Sequence, residues 1–465
     1  MRRLLVFPLL IVLLTSLAPS VAVRADDPAP QPLGNMMGMV IRDPHYEWNT
    51  NPSFPNDVNR AFYDAMGVKL EDAGVKWVRI EIFAEEFGSN AGFVTTQKYR
   101  YFINEVAPRH GIKVLALLAT PLVRWQTGDD KGEYLNPELL EAASDDPPST
   151  SPNACGKAGT EPLYPYGCGT NPYMRIWLNN AFDVAQAFPY NPATGAGIAA
   201  IEVLNEENRY LNGGGKGLRP LSVATLLTKF YRIYKNVRCP GGAIGGSCDQ
   251  VKILLGGLHP DRCDDCATGG FSDRQYLDAI YKSSAFQGYR TTYSKYPVDG
   301  IGYHPYPMEM RSGLVPEPSG SLDLFRVPAR MDAMRAVMVQ NLDSANKFWI
   351  TEVGDRGAPI TVDPAGDNER RQAQFMRSIY WFLWRDRDFV ENVFWFKYED
   401  FAVPEDPDAV GPENWGVVRI KPGTTTEYDN NGEIERTKQS FTTFKELAEI
   451  GLSEYHTYIP AATQE

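Results

Sequence analysis

The chain has 465 residues, with 58 acidic against 46 basic side chains, a net charge of −12 at pH 7 and a pI near 5.1. Such an acidic balance argues against DNA or RNA as a partner, because nucleic acid calls for a basic face. The length suits two ordinary domains or one large α/β barrel with insertions, and an aromatic share of 12% suits a large core or a surface that stacks rings on flat ligands.

Residues 1–25, MRRLLVFPLLIVLLTSLAPSVAVRA, read as a secretory signal peptide: two arginines, an apolar run, then small residues. The run is shorter than the ~20 residues of a membrane span. Val23 and Ala25 place the cut after Ala25, with Ala22 as the alternative. Losing Arg2, Arg3 and Arg24 takes the net charge from −12 to −15. No later segment is long and apolar enough to cross a bilayer, so the expectation is a secreted or extracytoplasmic monomer without a stable membrane anchor. Residues 26–34, DDPAPQPLG, are a Pro-rich lead-in.

From residue 35 to 450 strand-like and helix-like segments alternate, and 451–465 form a tail. The strand-like runs are 36–41, 76–83, 113–119, 199–205, 251–258, 298–304, 348–354 and 392–398. They are short, several are β-branched, and they lack helical spacing. Helical patterns occupy 95–111, 171–188, 222–237, 329–342, 369–386 and 438–451. Eight strands separated by helices predict a (β/α)8 TIM barrel with long βα loops. An open doubly wound sheet usually has a Gly-rich first turn, and no G-x-G-x-x-G follows a strand here. GGGKG (213–217) lacks the Ser or Thr of a phosphate loop, and GGAIGG (241–246) precedes a strand, so both read as loops. The connections 120–170, 305–326 and 399–436 leave the carboxyl ends of strands, where long loops wall a site.

The six cysteines fall into sequence-close pairs, which predict three local disulfides in an exported chain: Cys155 with Cys168, Cys239 with Cys248, and Cys263 with Cys266. A zinc site at CDDC (263–266) would need a second CxxC or an HxxxH partner, and neither is present. There is no nucleophile elbow and no His–Glu metal helix, so neither a metal nor another cofactor is expected.

Two strands end in acid. IEVLNEENRY (201–210) carries Glu206 at the end of the fourth strand, and KFWITEVGDRG (347–357) carries Glu352 at the end of the seventh. In an eight-fold ring these ends face each other across the mouth, and two carboxylates flanking a cavity are what glycoside hydrolysis needs. Alternation puts Arg79 and Glu81 on one face of the second strand and Val78, Ile80 and Ile82 on the other. The apolar set should meet the helices, leaving Arg79 inside the barrel, where a buried guanidinium requires a carboxylate. His304 and Tyr306 share a face if alternation persists through Pro305.

VLNEEN together with ITEVGDRG resembles the acid/base and nucleophile motifs of retaining glycoside hydrolases of clan A, in particular the cellulase-like and β-xylosidase-like families. GVKWVRIEI (74–82), GIGYHPYP (300–307) and FWFKYED (394–400) resemble further strands of that clan, so the likeness spans about residues 35 to 450. The chain departs from the pattern at Glu207, where proline is usual, and at Leu204, where tryptophan is frequent. The resemblance implies double displacement on β-glycosidic bonds of a polysaccharide or oligosaccharide, with Glu206 as acid/base and Glu352 as nucleophile. It also implies that Arg79 and Tyr306 hold Glu352, that Asn205 binds the sugar 2-hydroxyl, that His304 meets sugar hydroxyls, and that Trp395 is the floor under the cleaved sugar. Competing readings are Glu207 as the acid, a structural Arg79–Glu81 network, and core roles for His304 and Trp395. For the whole chain they are a non-catalytic glycan-binding barrel, or a transglycosylase using the same residues. Trp48, Trp125, Tyr210 and Trp415 stand in rim loops where further subsites form, and His259 ends the fifth strand as site or scaffold.

Overall fold

The structure is a computed structural model that describes residues 32–41, 59–82, 99–119, 122, 172–208, 218–237, 250–260, 272–307, 326–357, 367–385, 387–401, 412–421 and 432–452. The expected signal peptide, all six cysteines, Trp48, Trp125 and Tyr210 lie outside the described residues.

Each of the eight apolar runs forms a strand: β1 (Met37–Val40), β2 (Trp77–Glu81), β3 (Lys113–Leu118), β4 (Ile198–Asn205), β5 (Lys252–Leu258), β6 (Gly300–Tyr303), β7 (Phe348–Val353) and β8 (Val390–Trp395). Neighbours pair in parallel, and β8 returns to β1 to close the barrel. Parallel strands are buried on both faces, which is why these runs read as nearly continuous apolar sequence.

The inward faces hold Val40, Trp77, Leu115, Ala200, Leu254, Trp349 and Phe394 in one cluster. Trp77 meets Trp349 edge-on at 5.1 Å, and Trp349 stacks on Phe394 at 6.4 Å. Gly38 makes room for this plug, because a Cβ there would stand 2.5 Å from the Phe394 ring. Two residues beyond the plug, three of the inward positions are polar: Arg79 on β2, Glu202 on β4 and Thr351 on β7. The aromatic layer thus closes the barrel beneath a polar mouth.

The outward faces pack on helices: α1 (Arg60–Asp72), α2 (Ala107–Arg109, preceded by a π-helical segment Phe102–Val106), α3 (Pro172–Ala187), α4 (Pro220–Arg232), α5 (Asp273–Lys282), α6 (Ser284–Tyr293), α7 (Arg326–Gln340), α8 (Asp367–Trp384) and α9 (Gln439–Glu449). Among these, α1, α5 and α6 lie outside the helical stretches expected from sequence. Side-chain caps mark all three: Asn59 accepts from the Phe62 amide at 3.2 Å, Ser272 with Gln275 forms a capping box on α5, and Ser283 accepts from the Phe286 amide at 3.3 Å on α6. Tyr303, facing the helices, donates to Asp273 at 2.7 Å, and Arg330 holds the same carboxylate. That anchor fixes β6, so that the next residue, His304, turns into the barrel.

The connection expected as loop over 399–436 is partly sheet. β9 (Glu399–Phe401), β10 (Val418–Ile420) and β11 (Ile434–Thr437) form a three-stranded sheet in the order β11-β10-β9. A short 3-10 turn, Pro412–Trp415, leads into β10.

Candidate active site

Arg79 organises the mouth of the barrel. It is only 4% exposed, and its Nε donates to Glu202 Oε2 at 2.6 Å, Nη1 to Glu352 Oε1 at 2.6 Å and Nη2 to Asn205 Oδ1 at 2.7 Å. Burial works against its charge, but Glu202 and Glu352 more than offset it and hold the guanidinium firmly protonated. Glu202, fully buried on β4, also accepts from the Gly257 amide at 2.9 Å and the Thr351 hydroxyl at 2.7 Å.

Two backbone irregularities aim the acidic strand ends inward. Leu204 and Glu206 take positive φ, 71° and 48°. Such φ is costly for side chains with a Cβ, and where it occurs it clusters at functional sites. Leu204 turns out into the sheet–helix core, while Asn205 reaches Arg79 and Glu206 reaches His304. On β7 the register shifts between Ile350 and Val353, so both Thr351 and Glu352 reach the interior while Val353 joins the outer core.

His304 is fully buried between the strand ends. Its Nδ1 lies 3.1 Å from Glu206 Oε1 and 3.8 Å from Glu352 Oε2, and its Nε2 lies 3.0 Å from Thr351 Oγ1. Gly257 lies flat against the ring, where any Cβ would collide with the imidazole. Burial disfavours the imidazolium, but Glu352 and Glu206 outweigh it and raise the ring above its ordinary value. The Tyr306 hydroxyl donates to Glu352 Oε2 at 3.1 Å, and burial with the charge of Glu352 keeps that phenol protonated. Burial, then the charges of Glu352 and Glu202 against the opposing Arg79, pushes the Glu81 carboxyl up to about 7.

The structure therefore brings six expected residues together: Arg79, Asn205, Glu206, His304, Tyr306 and Glu352. Arg79 has Glu202, Glu352 and Asn205 as its hydrogen-bond partners, in place of an exclusive Arg79–Glu81 network. Trp395 stands elsewhere. It is fully buried on the outward face of β8, its ring 6.0 Å from Phe375 of α8, so it packs the sheet–helix layer and is not a sugar floor. The half-buried indole near the site is Trp415, with ring centroids 5.9 Å from Tyr306 and 5.7 Å from Phe396. Its loop is pinned: the Gly357 amide donates to Asn414 O at 2.8 Å, Gln372 Nε2 donates to Trp415 O at 3.2 Å, and buried Lys438 bridges Asp400 and Asn414 O. At His259 it is the backbone that is visibly engaged, clasped by the Asn208 amide at 2.9 Å and 2.8 Å. Glu202 and Thr351 were not singled out from sequence. The signal that points to Glu202 is a lone carboxylate in an apolar strand, on the strand that faces a buried arginine.

One oxygen each of Glu206 and Glu352 and one nitrogen of His304 lie within 4.8 Å of one another, the one such metal-sized group among the described residues. Arg79, Tyr306 and Thr351 already bind three of the polar atoms around it.

Glu207, the rival acid, is 5% exposed, and among the described residues no other residue donates a hydrogen bond to its carboxyl oxygens. Burial, then the nearby Glu202 and Glu206, pushes it up to about 8. An unfolded glutamate titrates near ~4.3. Between those values the folded chain keeps a proton that the unfolded chain has lost, so this group lowers stability as pH rises, and the effect is complete above pH 8. Glu207→Gln cannot ionise. Urea unfolding should show the variant gaining on the natural chain by a few kcal/mol between pH 4 and pH 8, at about 1.4 kcal/mol per pKa unit. A pH-independent difference would contradict a buried neutral carboxyl here.

No family model matches the chain, and no curated protein matches it in sequence. Solved structures do. A β-glucosidase from Thermotoga maritima in complex with cyclophellitol is similar over 92% of this chain and 100% of its own, at 13% identity and a TM-score of 0.54. A double mutant of the β-glucosidase from Trichoderma harzianum is similar over 91% of this chain and 100% of its own, at 13% identity and a TM-score of 0.50. The chain covers 65% of a family 39 glycoside hydrolase from the gut symbiont Bacteroides cellulosilyticus WH2, at 14% identity and a TM-score of 0.48. The chain shares the closed, eight-stranded (β/α)8 barrel fold of glycoside hydrolases.

Proposed function

We propose that the protein is a secreted, retaining glycoside hydrolase acting on β-glycosidic bonds of an oligosaccharide or polysaccharide. The observation that carries this reading is the unequal bracing of two facing carboxylates. Glu352 is held by Arg79 and by the Tyr306 hydroxyl. Glu206, its oxygen within 4.8 Å of one of Glu352, leans on the imidazole of His304. A cation and a hydroxyl donor fix the Glu352 carboxyl in place and aim it, as a nucleophile requires. A carboxyl paired with a titratable ring suits a group that gives a proton and takes one back. Carboxyl groups ~5–5.5 Å apart go with retention and ~6.5–9.5 Å with inversion; an oxygen pair of Glu206 and Glu352 within 4.8 Å supports the shorter class.

In the first step Glu352 attacks the anomeric carbon while Glu206 protonates the departing oxygen; a glycosyl ester forms and the glycosidic bond breaks. In the second, Glu206 removes a proton from water, which attacks the same carbon and frees Glu352. Asn205, its oxygen occupied by Arg79, keeps its amide hydrogens for the sugar 2-hydroxyl. Trp415, beside Tyr306, takes the flat-face role that Trp395 does not fill. The β-glucosidase neighbours support a β-glycoside as substrate. Among the described residues no helix is long and apolar enough to cross a membrane, and secretion rests on the amino-terminal sequence.

The test is the anomeric proton signal during early turnover, on a panel of polysaccharides and aryl β-glycosides. The first product should carry the β configuration. An α first product would refute retention, and binding without turnover on every glycan would favour the glycan-binding barrel.

A further inference from the structure

We infer that Thr351 and Glu202 are positioning residues that hold the proton of His304 on Nε2 and thereby present its Nδ1 lone pair to Glu206. The inference rests on Glu206 being the acid/base, as proposed above. It follows from counting hydrogens along a buried chain of contacts. Glu202 is the ion partner of Arg79 and already accepts from the Gly257 amide, so it has no hydrogen to give. The single hydrogen of the Thr351 hydroxyl therefore goes to Glu202 Oε1, 2.7 Å away. What remains at Thr351 Oγ1 is a lone pair, 3.0 Å from His304 Nε2, so Nε2 carries the hydrogen of that contact. No solvent competes, since His304 and Thr351 are both fully buried and Gly257 covers the ring.

A neutral imidazole has one N–H. With that hydrogen on Nε2, Nδ1 is bare and faces Glu206 Oε1 at 3.1 Å. Two bare acceptors do not make a hydrogen bond, so one proton sits between them: on Glu206, or on the ring as imidazolium beside a carboxylate. In either state the pair holds the proton that the leaving oxygen needs. In the opposite tautomer Nδ1–H would donate to a Glu206 carboxylate and favour its ionised form, the wrong state for protonating a leaving group. Among the described residues, the other charged or titratable groups facing His304 are Glu352 from β7, Arg79 from β2, and Tyr306. None of them contacts Nε2, so the lock is Thr351 with Glu202 behind it.

Nitrogen-15 NMR of the histidines reads the tautomer directly, with His304→Gln used only to assign the peak. At alkaline pH, where His304 is neutral, Nε2 should show the protonated shift and Nδ1 the bare one. In Thr351→Val the two shifts should exchange. The alkaline limb of kcat/KM should also move down by about one pH unit for substrates with a sugar or alkyl leaving group. It should stay in place for dinitrophenyl glycosides, which need little protonation. Thr351→Ser should restore both readouts. A natural chain whose neutral His304 carries its hydrogen on Nδ1 would overturn the inference, and that spectrum needs no variant to fold. A limb that does not move, or that moves equally for both substrate classes, would overturn it as well. If stereochemistry proved inverting while the tautomer held, the functional reading would fail and the hydrogen-bond lock would stand.

Discussion

Glu352→Ala should lose activity on every glycoside, on the order of 10⁴-fold or more, as removal of a covalent nucleophile does. The loss should be specific in kind. Small anions such as azide or formate can enter the space beside Arg79 and Tyr306 that the carboxylate leaves, and attack the same carbon directly. One displacement in place of two inverts the configuration, so the rescued product should be the α-azide or α-formate ester. Glu206→Ala should behave differently. On natural substrates it should fall ~10²–10⁴-fold, the usual contribution of general acid–base catalysis. With a dinitrophenyl leaving group its first step should survive, and the glycosyl-enzyme should accumulate because nothing activates water. Azide needs no base, so it should release a β-azide. Product configuration under azide, read by NMR, separates the two roles; β-azide from Glu352→Ala and α-azide from Glu206→Ala would reverse the assignment.

Arg79→Met should damage both fold and chemistry. The guanidinium touches Glu202 and Glu352 at 2.6 Å each. Its removal leaves two carboxylates in the barrel mouth without their cation, and breaking a buried pair costs about 3–5 kcal/mol. The folded variant would then hold protons on these carboxyls that the unfolded chain releases. Its deficit should therefore be largest near neutral pH and shrink toward pH 4. A Glu352 that shares a proton attacks poorly, so kcat/KM should fall on the order of 10²–10³-fold, the scale of removing one preorganised electrostatic partner. Arg79→Lys should recover part of the stability and less of the activity, because an ammonium cannot meet Glu202, Glu352 and Asn205 with a planar fork. Denaturation at two pH values together with steady-state kinetics checks both. Full activity in Arg79→Met would mean that Glu352 does not depend on its cation.

The barrel was legible because a fully buried parallel strand is an apolar run, and eight such runs stand in the chain. The acidic strand ends were legible for the opposite reason: Glu206 and Glu352 interrupt those runs where a barrel opens. Trp395 was misplaced because its motif was read without alternation. On β8 Phe394 faces the barrel, so Val393 and Trp395 must face the helices. Glu202 was hidden by its surroundings, since AAIEVLN reads as core, and one carboxylate in it gains meaning only once Arg79 is known to be buried opposite. Asn205 and Glu206 depend on the positive φ of Leu204, which side-chain pattern does not encode. α1 is masked by Gly67, which keeps clear of His110 and Val106 at the cost of helical propensity. β9, β10 and β11 are three or four residues long, too short for a periodic signal.

The central claim is that Glu352 becomes covalently bonded to the sugar. Its most direct test is trapping with activated 2-deoxy-2-fluoro β-glycosides of gluco, galacto and xylo configuration, followed by intact mass measurement and peptide mapping. The fluorine slows both steps, and the dinitrophenyl leaving group restores the first, so the intermediate should accumulate. One added fluoroglycosyl group per chain is expected, on the peptide that contains Glu352, absent in Glu352→Ala and lost again when an acceptor sugar is supplied. An adduct on Glu206 or Glu207, or substrate turnover by a chain that never forms an adduct, would contradict it.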